Sequence, residues 1–274
     1  MLAVDAPRWT RLDASVNGVG RRVRALLLGV VLVAVGCTES GRDAGRPGTT
    51  NAQPSSPPAT RSAAYGITCL QGAERTGALR FRVGEGLTTV GVILGQGRNG
   101  LVFGHQLGSN LCEWVPMARS YARLGYRALV FDFRGYNRLD GDVVAAAAEL
   151  RRRGVTKVAL VGSSMGGTAV LLAATRIRPA VAGVVSLSGP AVFMHMDARA
   201  AAPRLRVPAL FMAARGDGPF ADAARGLYGA AGTRDKQLLV LSSAAHGTNL
   251  LSFGHEAGKA RATLRGFITA HLER

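Results

Sequence analysis

The stretch "KVALVGSSMGGTAVLLAA", Lys157–Ala174, changes its period in the middle. Lys157–Gly162 is an apolar run of strand length, and Met165–Ile177 repeats its apolar residues at helical spacing. The junction reads Gly162-Ser163-Ser164-Met165-Gly166, a G-x-S-x-G pattern centred on Ser164. Lifting a side chain clear of a strand-to-helix corner demands a strained backbone at that residue. The residues two positions either side must be small, or their Cβ atoms would strike the adjoining strand and helix. The Met165 amide then stands at a helix N-terminus, where it can donate to a developing oxyanion. A glycine-rich turn with incidental serines is the alternative reading of the same residues.

Working outward, the pattern repeats. Apolar runs of strand length occur near 79–83, 88–94, 101–104, 127–132, 157–162, 181–187, 207–213 and 237–241. Helix-like stretches fall near 113–124, 140–153, 165–177, 219–230 and 256–272. Runs such as "ALVFDF" and "VPALFMAA" are apolar on both faces, as strands sandwiched between helix layers must be. The alternation predicts an α/β fold: a mostly parallel central sheet of about eight strands flanked by helices.

A serine nucleophile needs a base, and the base needs an orienting acid. Of the five histidines, His246 stands in "SSAAHGTNLL", in a loop just past the last strand, where an open α/β sheet places its chemistry. His255 and His271 fall at or inside the last helix and read as surface or packing residues. Asp217, in "LFMAARGDGPF", also lies just beyond a strand and is the preferred acid. Asp222 and Asp132 are its rivals.

The chain order Ser164, Asp217, His246, with the stretches "GSSMGG", "ARGDGPF", "AAHGTNLL" and "VFGHQLGSNLCEW", resembles the α/β-hydrolase superfamily over residues 67–274. The resemblance implies acyl transfer from a small-molecule carboxylic ester to water through Ser164, His246 and Asp217. It also implies an oxyanion hole made by the backbone N–H groups of Met165 and Leu107. The pair His105-Gln106 stands where many members have His-Gly. His105 is then expected to order the loop, and Gln106 either to alter its geometry or to contribute its own side chain. The interval Gly189–Arg206 leaves room for one short helix at most, which implies an open pocket without a large lid, as in the dienelactone-hydrolase-like and small esterase branches. Phe193, Met194 and Met196 would line its wall or pack in the core, and His195 lies among them. No metal-ligand spacing and no nucleotide-binding glycine fingerprint is present, so no cofactor or metal is implied. Two other readings of the fold are a non-catalytic envelope binding protein, and peptide cleavage or perhydrolysis at the same site.

The N-terminal region has a different character. Arg21, Arg22 and Arg24 precede the uncharged run Ala25–Val35, too short for a membrane span of roughly 20 residues. Residues 1–36 read as a signal peptide. "AVGC" resembles a bacterial lipobox, which implies lipidation of Cys37 and a membrane anchor; plain secretion is the alternative. Residues 37–64, rich in Pro, Ser, Thr and Gly, read as a disordered tether, and 65–274 as the folded domain. The expected location is therefore the cell envelope. Cys69 and Cys112 would form either a disulfide or two buried thiols. The formal net charge is +17, but the arginines are scattered, only 6% of residues are aromatic, and no recognition motif is present. Nucleic acid is therefore not an expected partner.

Overall fold

The computed structural model describes residues 69–84, 86–136 and 138–273. The expected signal peptide, Cys37 and the tether lie outside the described residues.

The chain opens with a single helical turn, α1 (Ala73–Thr76), then β1 (Ala78–Arg82), β2 (Thr88–Leu94) and β3 (Asn99–Gly104). There follow α2 (Val115–Arg123), β4 (Arg127–Phe131), α3 (Leu139–Arg152), β5 (Lys157–Ser163), α4 (Met165–Arg176) and β6 (Gly183–Leu187). A small hairpin, β7 (Val192–Phe193) and β8 (Met196–Asp197), leads to the short α5 (Ala198–Ala201). The domain closes with β9 (Ala209–Ala214), α6 (Phe220–Ala230), β10 (Lys236–Leu241) and α7 (Ala257–Leu272).

Eight strands form one sheet in the order β1-β2-β4-β3-β5-β6-β9-β10. From β4 to β10 every neighbouring pair is parallel; β1 and β2 add an antiparallel edge. All eight expected strands and the five longer helices are present. The intervals Gly72–Gly77 and Gly189–Arg206 hold structure the periodicity did not reveal, because elements of two to four residues are shorter than the period that would betray them.

The two-sided burial of the central strands explains their unbroken apolar sequence. Along β5, Val158 and Leu160 enter one core layer, while Ala159 and Val161 enter the other. On β3, Leu101 and Phe103 face the second layer and Val102 the first. Strand period two thus feeds two separate cores, one under α3, α4 and α6, the other under α2 and α7. Cys69 and Cys112 form a disulfide that ties the start of the described chain to the segment leading into α2. Among the described residues no helix is long and apolar enough to cross a membrane.

Candidate active site

Parallel strands all end on one edge of the sheet, and the loops after β3, β5, β6, β9 and β10 gather there. The sharpest loop is the corner between β5 and α4. Ser164 takes φ 50° and ψ −117°, a left-handed conformation that costs a non-glycine residue about 1–3 kcal/mol. Its own amide is held by the Leu187 carbonyl at 2.7 Å. The flanking glycines are sterically compulsory. A Cβ on Gly162 would lie 2.2 Å from the Gly166 carbonyl oxygen, and one on Gly166 would lie 2.3 Å from that of Gly104. Met165 begins α4, so its amide has no carbonyl four residues back within the helix.

Two further loops zip together beside the corner. After β9, the Arg215 and Gly216 amides donate to the carbonyls of Leu241, at the end of β10, and of Ser243 just past it, at 2.8 Å each. This fastens the Asp217 turn to the His246 loop. His246 Nδ1 lies 2.9 Å and 3.0 Å from the two Asp217 carboxylate oxygens. Asp217 is 8% exposed, whereas the His246 side chain keeps 31%. The acid is therefore enclosed and the ring reaches the surface. Phe220, at the start of α6, packs its ring 4.4 Å from the His246 ring, tilted 59° to it.

The structure separates the rival acids. Asp222 is exposed and pairs with Arg225 at 2.9 Å. Asp132 accepts the Leu111 amide at 2.7 Å, and burial pushes its carboxyl above the usual range. Its work is to hold the loop after β3. Only Asp217 meets His246. Among the described residues the Ser164 hydroxyl has no hydrogen-bond partner, so a Ser164–His246 bond is not formed here. Such bonds commonly tighten only when substrate binds.

Two further residues brace this edge, Ser188 and Gly247. Ser188 follows β6, is fully buried, and takes φ 48°. Its hydroxyl donates to Asp217 Oδ2 at 2.7 Å and accepts the Gly247 amide at 3.1 Å. It thus links Asp217 to the residue after His246. Gly247 has φ 58°, and a Cβ there would lie 2.4 Å from Gln106 Oε1 and 2.5 Å from Ser163 Oγ. "HG" at the head of a loop hints at that glycine; nothing local marks Ser188.

The loop after β3 is pinned at several points. The His105 Nε2 accepts the Phe133 amide at 3.1 Å, so the ring proton sits on Nδ1 and donates to the Gln106 carbonyl at 2.8 Å. The Gln106 amide donates to Glu113 at 2.9 Å, and the Trp114 indole N–H to the Gly104 carbonyl at 3.0 Å. The Gln106 side chain accepts the Ser163 hydroxyl at 3.2 Å, so it braces the corner from beside Ser164. Leu107 is left half exposed, with no hydrogen bond to its amide among the described residues. In the Gly189–Arg206 interval, Phe193 and Met196 pack against the core, Met194 is exposed, and His195 sits at the exposed hairpin tip. His271 packs against Phe267, and His255 precedes α7. Among the described residues no cluster of His, Cys, Asp or Glu could hold a metal ion.

A cleft of about 860 Å³ opens beside Met165 and His105. Its walls come from the ends of β2, β3 and β4 and from the loop preceding α3.

Residues 99–228 match the family model described as alpha/beta hydrolase fold. No curated protein matches the chain. Among solved structures, the chain is similar to a dienelactone hydrolase from Anabaena variabilis, with TM-score 0.57, 22% identity, and coverage of 71% of this chain and 96% of that one. It is also similar to the esterase domain of a Rhodothermus marinus protein, with TM-score 0.58, 20% identity and coverage of 71% and 98%. A Pyrococcus furiosus esterase aligns with TM-score 0.62 at 13% identity, covering 71% and 92%. At these identities the likeness is one of fold. Together with the sheet order and the matched family model, it identifies the described domain as having the α/β-hydrolase fold.

Proposed function

We propose that the protein is a serine hydrolase that cleaves small carboxylic esters through an acyl-enzyme. The observation that supports this best is the convergence of the strained Ser164 corner with the enclosed Asp217–His246 pair at one sheet edge. The lipases and esterases among structures of the same fold favour the same chemistry.

The steps follow from the atoms present. His246 Nε2 takes the Ser164 proton as Oγ attacks the ester carbonyl, and the carbonyl π electrons move onto oxygen. The amides of Met165 and Leu107 donate to that oxyanion, each worth about 3 kcal/mol in such sites. Asp217, accepting from Nδ1, keeps the ring in the tautomer whose Nε2 is free and stabilises the imidazolium. Collapse breaks the bond to the alcohol, which leaves with the proton from Nε2. Water then repeats the sequence on the acyl-serine, releasing the acid and restoring Ser164. No cofactor enters these steps.

The Cys69–Cys112 disulfide favours an oxidising compartment outside the cytoplasm. With the signal-like residues 1–36, it supports an envelope enzyme held to the membrane by lipid on Cys37, or else secreted. Metabolic labelling with a fatty-acid analogue, in chains with Cys37 and with Cys37→Ala, distinguishes these two.

The activity is tested with a fluorophosphonate probe and with p-nitrophenyl esters of graded chain length. Wild type should label and turn over, and Ser164→Ala should do neither while giving the same circular dichroism. Equal turnover by both proteins would remove Ser164 as nucleophile.

A further inference from the structure

The exposed apolar side chains of this domain gather at one edge of its sheet. The described residues leave seven large apolar side chains exposed, and six of them, Leu87, Leu107, Tyr136, Val192, Met194 and Phe253, lie on loops at the edge that carries Ser164. Leu107, Tyr136 and Phe253 follow β3, β4 and β10, which all end there. Leu87 sits in the turn before β2. The Asp132 amide donates to the Val90 carbonyl at 2.9 Å, which puts that turn beside the end of β4. Val192 and Met194 belong to the β7–β8 hairpin, whose entry is pinned at the Ser164 corner. The Thr168 hydroxyl donates to the Pro190 carbonyl at 2.7 Å, and the Thr168 amide donates to that of Ser164 at 3.1 Å. The seventh side chain, Leu124, lies between α2 and β4, at the opposite edge. Apolar residues scattered singly over a surface need no explanation, but a concentration around one site does.

The form of this surface favours lipid as its partner. The six side chains stand on five separate loops, interspersed with polar residues such as Ser109 and His195. A protein partner needs about 800 Å² of closely complementary surface on each side. A lipid surface instead admits separate side chains into the boundary between headgroups and acyl chains, roughly 5–10 Å deep. The charge agrees. Arg82, at the end of β1, and Arg215, just past β9, are exposed at this edge and have no ion pair among the described residues. Asp197 and Asp222, which also lie here, are each paired with an arginine, Arg199 and Arg225. The whole chain carries a formal net charge of +17. Cations beside exposed apolar groups suit an anionic leaflet.

We propose that this edge docks on an anionic lipid surface and that the site draws its ester from that surface. Leu87, Met194 and Phe253 enter the headgroup boundary, and Arg82 and Arg215 meet the headgroups. The docking stands apart from any lipid on Cys37, which would hold the chain near a membrane without choosing which face meets it. Only the origin of the ester rests on the serine-hydrolase reading.

The test of docking uses the full chain carrying Ser164→Ala, so that no turnover is involved, and mixed phosphatidylcholine and phosphatidylglycerol vesicles with brominated acyl chains. The native tryptophans are Trp9 and Trp114, and Trp114 is fully buried. In a Trp9→Phe background, Phe253→Trp and Leu124→Trp put a fluorophore at the proposed face and at the opposite edge. Bromine should quench the Phe253→Trp protein about threefold or more beyond the Leu124→Trp protein, because only the proposed face reaches the acyl boundary. That excess should shrink in Arg82→Gln/Arg215→Gln and as sodium chloride is raised. Because the comparison reads which edge meets lipid, it holds whether or not the N-terminal region also binds the vesicle. Equal quenching at the two positions, or none, would overturn the proposal. An excess unchanged by the arginine pair and by salt would overturn the anionic assignment.

With Ser164 restored, Phe253→Ser should lower turnover of tributyrin emulsified with phosphatidylglycerol by about tenfold, the worth of one aromatic side chain buried in the boundary. Turnover of soluble p-nitrophenyl acetate should be little changed, and Leu124→Ser should alter neither rate. Hydrolysis of p-nitrophenyl acetate without edge-specific quenching would overturn the docking and leave the hydrolase. Edge-specific quenching without hydrolysis of either ester would uphold the docking and count against the hydrolase. Dimers in sedimentation that Phe253→Ser abolishes, with no quenching, would assign this edge to a second copy of the chain and overturn the proposal.

Discussion

The buried hydroxyl of Ser188 lies 2.7 Å from the Asp217 carboxylate and 3.1 Å from the Gly247 amide. A residue after β6 thereby holds together Asp217, supplied after β9, and the loop that bears His246 after β10. Ser188→Ala leaves a buried carboxylate oxygen and a buried N–H without this partner, at a cost of about 1–3 kcal/mol. We expect the midpoint of urea unfolding to fall and kcat for p-nitrophenyl acetate to drop about tenfold or more, with KM little changed. Ser188→Gly separates two effects. It relieves the left-handed backbone but restores neither hydrogen bond, so it should be more stable than Ser188→Ala and equally impaired in kcat. A glycine variant with wild-type kcat would remove the hydroxyl's role.

Asp217→Asn keeps the shape of the acid but not its charge. The amide group can donate to Nδ1 and so stabilise the tautomer with its proton on Nε2, the wrong one for accepting from Ser164. Turnover should fall by about 10³–10⁴-fold at neutral pH, with the protein still folded. Asp222→Asn, which alters only an exposed pair with Arg225, should change turnover less than twofold, as expected for a surface ion pair. Comparing the two variants in one ester assay checks the choice of acid.

Two glycine substitutions should act in opposite directions. An alanine at Gly166 would press its Cβ to 2.3 Å from the Gly104 carbonyl oxygen, and both partners there are backbone. We expect Gly166→Ala to lose more than about 3 kcal/mol or to fail to accumulate as folded protein. Gly266 lies within α7 with nothing inside 4 Å of the added Cβ. Gly266→Ala should therefore raise stability by about 0.5–1 kcal/mol. Thermal melts of both variants read this directly.

Cys69 and Cys112 close a loop with a sequence separation of 43. Removing that constraint releases the unfolded chain, and a Cys69→Ser/Cys112→Ser variant should be about 2–4 kcal/mol less stable. Dithiothreitol should lower the melting temperature of the wild type and leave that of the double variant unchanged. Because Cys112 lies five residues past Leu107, loosening it should also reduce kcat below the unfolding range.

The amino-acid sequence by itself determined the layered α/β architecture and the Ser164 corner. Both follow from periodicity and from residues adjacent in the chain. Two-sided burial writes unbroken apolar runs, and a corner as tight as the one at Ser164 tolerates only glycine at Gly162 and Gly166. Asp217 and His246 were legible as candidates because each lies just past a strand, but Asp132 has a similar local setting and Asp222 lies only five residues beyond Asp217. The tertiary structure decided which carboxylate meets the ring, through backbone bonds between the loops after β9 and β10. It likewise decided that Cys69 pairs with Cys112, that the Gln106 carboxamide braces Ser163, and that Ser188 joins Asp217 to Gly247. Those contacts span 29 to 59 positions in sequence. They depend on strand order and loop path, which no local pattern of residues encodes.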